Sequence, residues 1–115
     1  MNELEIYKKY VDLMYYTLNL ILKYPKAERY LLVSRINTVM YNGQENILYA
    51  GKDFNKFNKL KYLNSLDVNL TLLKSYIRIS YRYKYISIKN YETWSFKITE
   101  ICNMLGSWIK ICQKR

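Results

Sequence analysis

The chain has 115 residues, half of them apolar, with one proline and three glycines, a length that suits a single domain spanning 1–115 around one core. So few turn formers argue against a many-stranded sandwich or barrel, and the absence of histidine excludes histidine-based triads, histidine general bases and every zinc site that contains imidazole. Nineteen Lys and Arg against nine Asp and Glu leave a formal charge of +10, a surplus that attracts phosphate, although an AT-rich genome would by itself enrich Lys, Asn, Tyr and Ile.

In chain order, the first predicted element is a helix whose apolar seam runs through Leu4, Tyr7, Val11, Met14, Leu18 and Ile21 at intervals alternating three and four. Pro25 forbids its continuation, so it ends near Tyr24. A second helix over roughly residues 26–50 presents Leu32, Ile36, Val39, Gly43, Ile47 and Ala50, with Gly51 standing where a left-handed cap would close it. Gly43 is the weak point of this helix, since it could end it early. Asp53 or Asn55 can cap a third helix with a seam of Leu63, Leu66, Leu70, Leu73 and Ile77. Ser87 can cap a fourth, in which Tyr91, Trp94, Ile98, Ile101, Leu105, Trp108 and Cys112 keep the rhythm. Four helices joined by short connections imply an all-α, up-down-up-down four-helix bundle.

No apolar run approaches the roughly 20 residues needed to cross a bilayer, so no membrane span is expected. MNELEIYKKY lacks the basic-then-apolar order of a signal peptide, and the expected location is the cytoplasm. Cys102 and Cys112 lie about 15 Å apart along one helix, too far for a disulfide, and read as reduced packing residues. Two cysteines without histidine make a poor metal site, and neither a metal nor a cofactor is expected. The sequence holds no glycine-rich phosphate loop and no nucleophile-base spacing. Glu92 and Glu100 read as solvated helix charges, so the expectation is a non-catalytic protein.

The charge is unevenly distributed. Residues 52–91 hold nine Lys or Arg against Asp53 and Asp67. Within them Lys74, Arg78 and Arg82 recur every fourth residue, which stacks like charges along one helix face at a small repulsive cost, and Lys84 extends the run. Such a stripe predicts salt-sensitive contact with the backbone of nucleic acid, without base readout. Tyr76, Tyr81, Tyr83 and Tyr85 surround it. Their rings can pack against a neighbouring helix, the default role, or stack on unpaired bases.

Two segments carry a family likeness. KYPKAERYLLVSRI, residues 23–36, and MLGSWIK, residues 104–110, resemble the accessory variability determinant (Avd) proteins of diversity-generating retroelements. In that family the first segment has an aromatic, a proline, a basic residue and then Glu-Arg-aromatic, a form reproduced by Tyr24, Pro25, Lys26, Glu28, Arg29 and Tyr30. The second usually reads Met-Leu-Gly-Gly-Trp-Ile-Lys, and here Ser107 replaces the second glycine. The wider group includes four-helix proteins encoded by intervening sequences of 23S ribosomal RNA genes. Those typically carry a second proline followed by Asn-Ile-Ala-Glu-Gly in helix two, where this chain has MYNGQENILYAGK. The resemblance implies a homopentameric barrel that binds its cognate reverse transcriptase, RNA and DNA without strong sequence preference, and supports error-prone copying of template RNA into cDNA. The alternatives are a ribosomal-RNA-binding bundle, a purely structural helical oligomer, and a protein held at an anionic membrane surface.

The corner KYPKAERY offers a second basic candidate. Lys23 suits the negative end of helix one and Glu28 the positive start of helix two, which leaves Lys26 and Arg35 to face nucleic acid together with Lys23. Arg29 is assigned a structural role, such as an ion pair. At the other end of the sequence, Gly106 within a helix costs about 1 kcal/mol relative to alanine and suggests close approach of another helix. Trp108 beside it, and Tyr91, are candidates for core or oligomer interface, core being the first choice for Trp108.

Overall fold

The computed structural model describes residues 3–114, and among them there is no strand. Four helices, α1 (Glu3–Ile21), α2 (Leu32–Lys52), α3 (Lys56–Arg82) and α4 (Ile88–Lys114), run up-down-up-down, with one 3-10 turn at Lys26–Glu28. Each helix packs on its two neighbours, α1 on α2 and α4, α3 on α2 and α4, which gives an elongated bundle of 46 × 25 × 19 Å. Chain order therefore puts the α1–α2 and α3–α4 connections at one end, and the α2–α3 connection with the start of α1 and the end of α4 at the other.

The apolar seams of three helices point inward as their spacing predicts. Leu63, Leu66, Leu70, Leu73 and Ile77 of α3 are each at most 2 % exposed, and each such side chain contributes about 1.5–3 kcal/mol of transfer free energy. From α2 come Leu32, Ile36, Val39, Ile47 and Ala50, and from α4 Trp94, Ile98, Ile101, Leu105, Trp108 and Cys112, all in the same buried cluster. Tyr91 is half-buried at its edge.

Helix α1 differs in phase. Its buried residues are Ile6, Tyr10, Leu13, Met14, Thr17 and Ile21, whereas Leu4 is exposed and Tyr7, Val11 and Leu18 are half-buried. Two polar groups occupy the centre of the true seam, and both are satisfied there. The Tyr10 hydroxyl donates to the Met40 carbonyl at 2.7 Å, and Thr17 Oγ1 accepts the Trp94 indole N–H at 2.9 Å. Gly43 does not interrupt α2. It is buried inside the helix at the point where the Tyr10 ring crosses it. A Cβ there would collide with the Tyr10 hydroxyl and lie 2.7 Å from Cζ.

The helix ends also correct the sequence. Helix α1 stops at Ile21 and α2 begins at Leu32, six residues later than position 26. Between them the backbone closes short turns, with Glu28 N–H donating to the Pro25 carbonyl at 2.9 Å and Leu31 N–H to the Glu28 carbonyl at 3.1 Å. The corner is held by tertiary contacts that local propensity does not report: Tyr24 is buried, and Glu28 is bonded to Tyr85 at 2.6 Å. Gly51 is not a left-handed cap, because no glycine has a positive φ among the described residues and α2 runs on to Lys52. Asn55 is the N-cap of α3, its side chain accepting the Asn58 N–H at 3.1 Å, while Asp53 accepts the Asn55 N–H at 2.8 Å. Ser87 caps α4 through the Asn90 N–H at 3.0 Å. Gly106 has no atom of another helix near the place a Cβ would take, so close packing within the chain is not the reason for it.

Candidate nucleic-acid interface

Lys74, Arg78 and Arg82 are all exposed on α3. Successive members of an i, i+4 series advance about 40° around a helix, so the stripe winds outward as it climbs. Its lower end, Lys74, borders α4, where its ammonium lies beside the half-buried Cys102 thiol. Burial raises the thiol pKa, with Asp67 adding to the rise and Lys74 opposing it. None of the ion pairs among the described residues, Lys9–Glu100, Lys59–Glu3 and Lys97–Asp12, involves the stripe.

Arg82 reaches the end of the bundle where both basic corners meet. The Tyr85 hydroxyl donates to Glu28 Oε2 at 2.6 Å, and the Tyr24 and Tyr85 ring centroids are 5.2 Å apart, so the α1–α2 and α3–α4 connections are clasped together. Residues 22–31 bring Lys23, Lys26 and Arg29, and residues 82–90 bring Arg82, Lys84 and Lys89, every one of them exposed. Against these six cations the same two segments hold one carboxylate, Glu28. Its negative charge disfavours ionisation of its partner, and the hydrogen bond to Glu28 is the leading cause of the raised Tyr85 pKa.

The sequence-predicted residues are thus only partly united. Lys23, Lys26, Arg82 and Lys84 share the bundle end, and Arg78 and Lys74 continue from it down α3. Arg35 stands apart, in the cleft between α2 and α3 with Tyr30, Thr38, Asn69, Leu72 and Tyr76, on the flank of α3 opposite Lys74. Arg29, given a structural role by the sequence, makes no ion pair among the described residues and stands exposed at the cationic end. Lys89 was missed. The signal for both was topological: an up-down-up-down order sends the first and third connections to the same end.

The tyrosines divide by environment. Tyr24 is buried and its pKa is pushed up to about 12, chiefly by burial, with Ser80 nearby acting against the shift and Tyr85 adding to it. The Ser80 hydroxyl itself donates to the Tyr76 carbonyl at 2.8 Å, and the Tyr24 hydroxyl has no partner at hydrogen-bonding geometry. Tyr81 and Tyr91 pair at 4.9 Å between α3 and α4. Tyr76 and Tyr85 pack on the core, while Tyr83 is 66 % exposed. Trp108 is buried within the single chain. Among the described residues no group of three or more His, Cys, Asp or Glu side chains could hold a metal ion, and no helix is long and apolar enough to cross a membrane.

Comparison with known proteins supplies context for this geometry. The bAvd-like family model matches residues 4–112, and no curated protein matches. Among solved structures, the chain is similar to a protein of unknown function from the S23 ribosomal protein family of Bacteroides thetaiotaomicron VPI-5482. The TM-score is 0.86 at 19 % identity, over 96 % of this chain and 99 % of that one. At that identity the likeness speaks for the fold.

Proposed function

The chain belongs to the bAvd-like family, the bacterial accessory variability determinants, and from that membership we propose that it is a non-catalytic accessory protein of a diversity-generating retroelement. In this role it binds the backbone of template RNA and cDNA and joins them to the reverse transcriptase. The observation that carries the proposal is the bundle end with six exposed cations and one engaged carboxylate, continued along α3 by Arg78 and Lys74. Backbone phosphates are the polyanion such a surface fits, because each contact gains by releasing condensed counterions and needs no particular base. A homo-oligomer, a pentamer in the resemblance drawn from the sequence, would repeat this end around a ring and raise avidity without new contacts. The protein works in the cytoplasm, where template RNA is made.

The test is the R78A/R82A double variant. Its affinity for single-stranded RNA and DNA should fall for all sequences, and the slope of log K against log salt should flatten by about 1–2. Helicity and sedimentation should not change. The variant should also reduce template-dependent cDNA synthesis by the reverse transcriptase encoded beside it. Unchanged affinity and salt slope would make the stripe a solvated face. The likeness in fold to an S23-family protein favours ribosomal RNA as the second reading. A genome lacking a neighbouring reverse transcriptase gene with paired variable and template repeats would move the function there.

A further inference from the structure

At the cationic end, helix α3 closes with a left-handed residue. Lys84 has φ 64°, its N–H donates to the Tyr81 carbonyl at 2.9 Å, and the Tyr85 N–H reaches back to the Ser80 carbonyl at 2.9 Å. This pair of bonds is a Schellman cap, whose left-handed position is usually glycine. A lysine there costs about 1 kcal/mol more than glycine, so the cap carries a cation where local backbone preference disfavours one.

The cap brings three rings into contact, the inner pair inclined by 49° and the outer pair by 23°. Tyr24, buried, contacts Tyr85 at 5.2 Å. Tyr85, oriented by its hydrogen bond to Glu28, stacks on Tyr83 with centroids 6.0 Å apart and planes inclined by 23°. Tyr83 ends the ladder with 66 % of its surface exposed, and it sits between exposed Arg82 and Lys84. The inner rings fix the outer one, so a flat partner stacking on Tyr83 meets an aromatic face already ordered, with a cation on either side in sequence for the phosphates of the same strand.

We propose that Tyr83 is a stacking platform for an unpaired nucleobase, which makes this end of the bundle a site for single-stranded nucleic acid. The inference rests on backbone binding by the surrounding cations and adds to it a selection against duplex, since paired bases are already stacked on one another and offer no free face. Base-aromatic stacking is sequence-tolerant, so the site selects strandedness without reading sequence.

The experiment compares the intact protein's affinity for a labelled oligoadenylate, for an abasic oligomer with the same number of phosphates, and for a duplex. Wild type should bind oligoadenylate at least about fivefold more tightly than the abasic strand. Tyr83→Ala should abolish that preference while leaving the salt slope and the duplex affinity unchanged, because no phosphate contact is removed. Tyr83→Phe and Tyr83→Trp should retain the preference. Equal wild-type affinity for oligoadenylate and abasic strand overturns the platform, and so does a preference that survives Tyr83→Ala. In either case binding of all three ligands would leave the backbone proposal standing. Failure of wild type to bind any of them would instead sink the backbone proposal, and the platform with it.

Discussion

Replacing Gly43 by alanine sets two opposite expectations against each other. Helix propensity alone favours the change by about 1 kcal/mol, since glycine is the poorer helix former at an interior position, and Gly43 lies in the middle of α2. Tertiary structure opposes it. The new methyl would strike the Tyr10 hydroxyl and lie 2.7 Å from Cζ, and the ring is only 1 % exposed, so it yields only by moving buried neighbours. Displacing it costs about 1–3 kcal/mol by overpacking, and breaking its 2.7 Å bond to the Met40 carbonyl leaves a buried hydroxyl unsatisfied for about 1–3 kcal/mol more. The net expectation for Gly43→Ala is destabilisation by about 1–5 kcal/mol. Urea unfolding followed by circular dichroism should show a lower midpoint with an unchanged slope. Adding Tyr10→Phe should recover part of the loss, because the atom that clashes first is gone, so the two changes couple non-additively. A Gly43→Ala protein more stable than wild type would refute the steric account and leave helix propensity in control of this position.

Two other perturbations test the polar groups of the core. Tyr10 and Tyr24 hold their protons more tightly in the folded chain than the ordinary tyrosine value of 10.0, burial being the first cause for both and Tyr24 reaching about 12. Their contribution to stability is complete below pH 10 and is lost as the pH rises towards 12; urea midpoints across that interval should fall, and less steeply in Tyr10→Phe. Thr17→Val removes the acceptor of the fully buried Trp94 indole N–H and should cost about 1–3 kcal/mol. A neutral result would mean that the indole finds another acceptor.

How far the fold was legible follows from which groups the hydrophobic pattern can see. In α2, α3 and α4 most inward positions are occupied by aliphatic residues and tryptophan, and spacing identifies those, although it passes over the buried Met40 and Ser80. In α1 the seam Ile6, Tyr10, Leu13, Thr17, Ile21 also keeps helical spacing, at intervals of four, three, four and four, but its centre holds a tyrosine and a threonine. Leu4, Val11 and Leu18 lie on a neighbouring stripe and outscore them in apolarity. What moves the helix to the observed phase is a pair of cross-helix hydrogen bonds, Tyr10 to Met40 and Trp94 to Thr17, whose partners are 30 and 77 residues apart in the chain. Satisfying those groups in the interior is obligatory once they are buried, yet nothing local records it. The late start of α2 has the same origin. Lys26 to Glu28 reads as a good first helical turn, but Tyr85, 57 residues further on, takes the Glu28 carboxylate.

The candidate site was legible as charge and illegible as shape. The recurrence of Lys74, Arg78 and Arg82 is visible in the sequence, and so is the basic corner at Lys23 and Lys26, but as two rival sites. Their union needs only the up-down-up-down order, which brings the first and third connections to one end, and the Glu28–Tyr85 clasp that fixes it. Composition bias towards lysine and tyrosine accounts for the abundance of both residues without accounting for where they stand. Bias would leave tyrosines interchangeable, whereas Tyr10 closes on a glycine, Tyr24 fills the core, Tyr85 bonds the one carboxylate set among six cations, and Tyr83 is held with its face open between two of them. Lysine at the left-handed position 84 is the sharpest instance, because asparagine, which the same bias supplies in quantity, enters that conformation more readily than lysine. The cation at position 84 thus stands against the local preference of the backbone, in keeping with the phosphate contact proposed for that end.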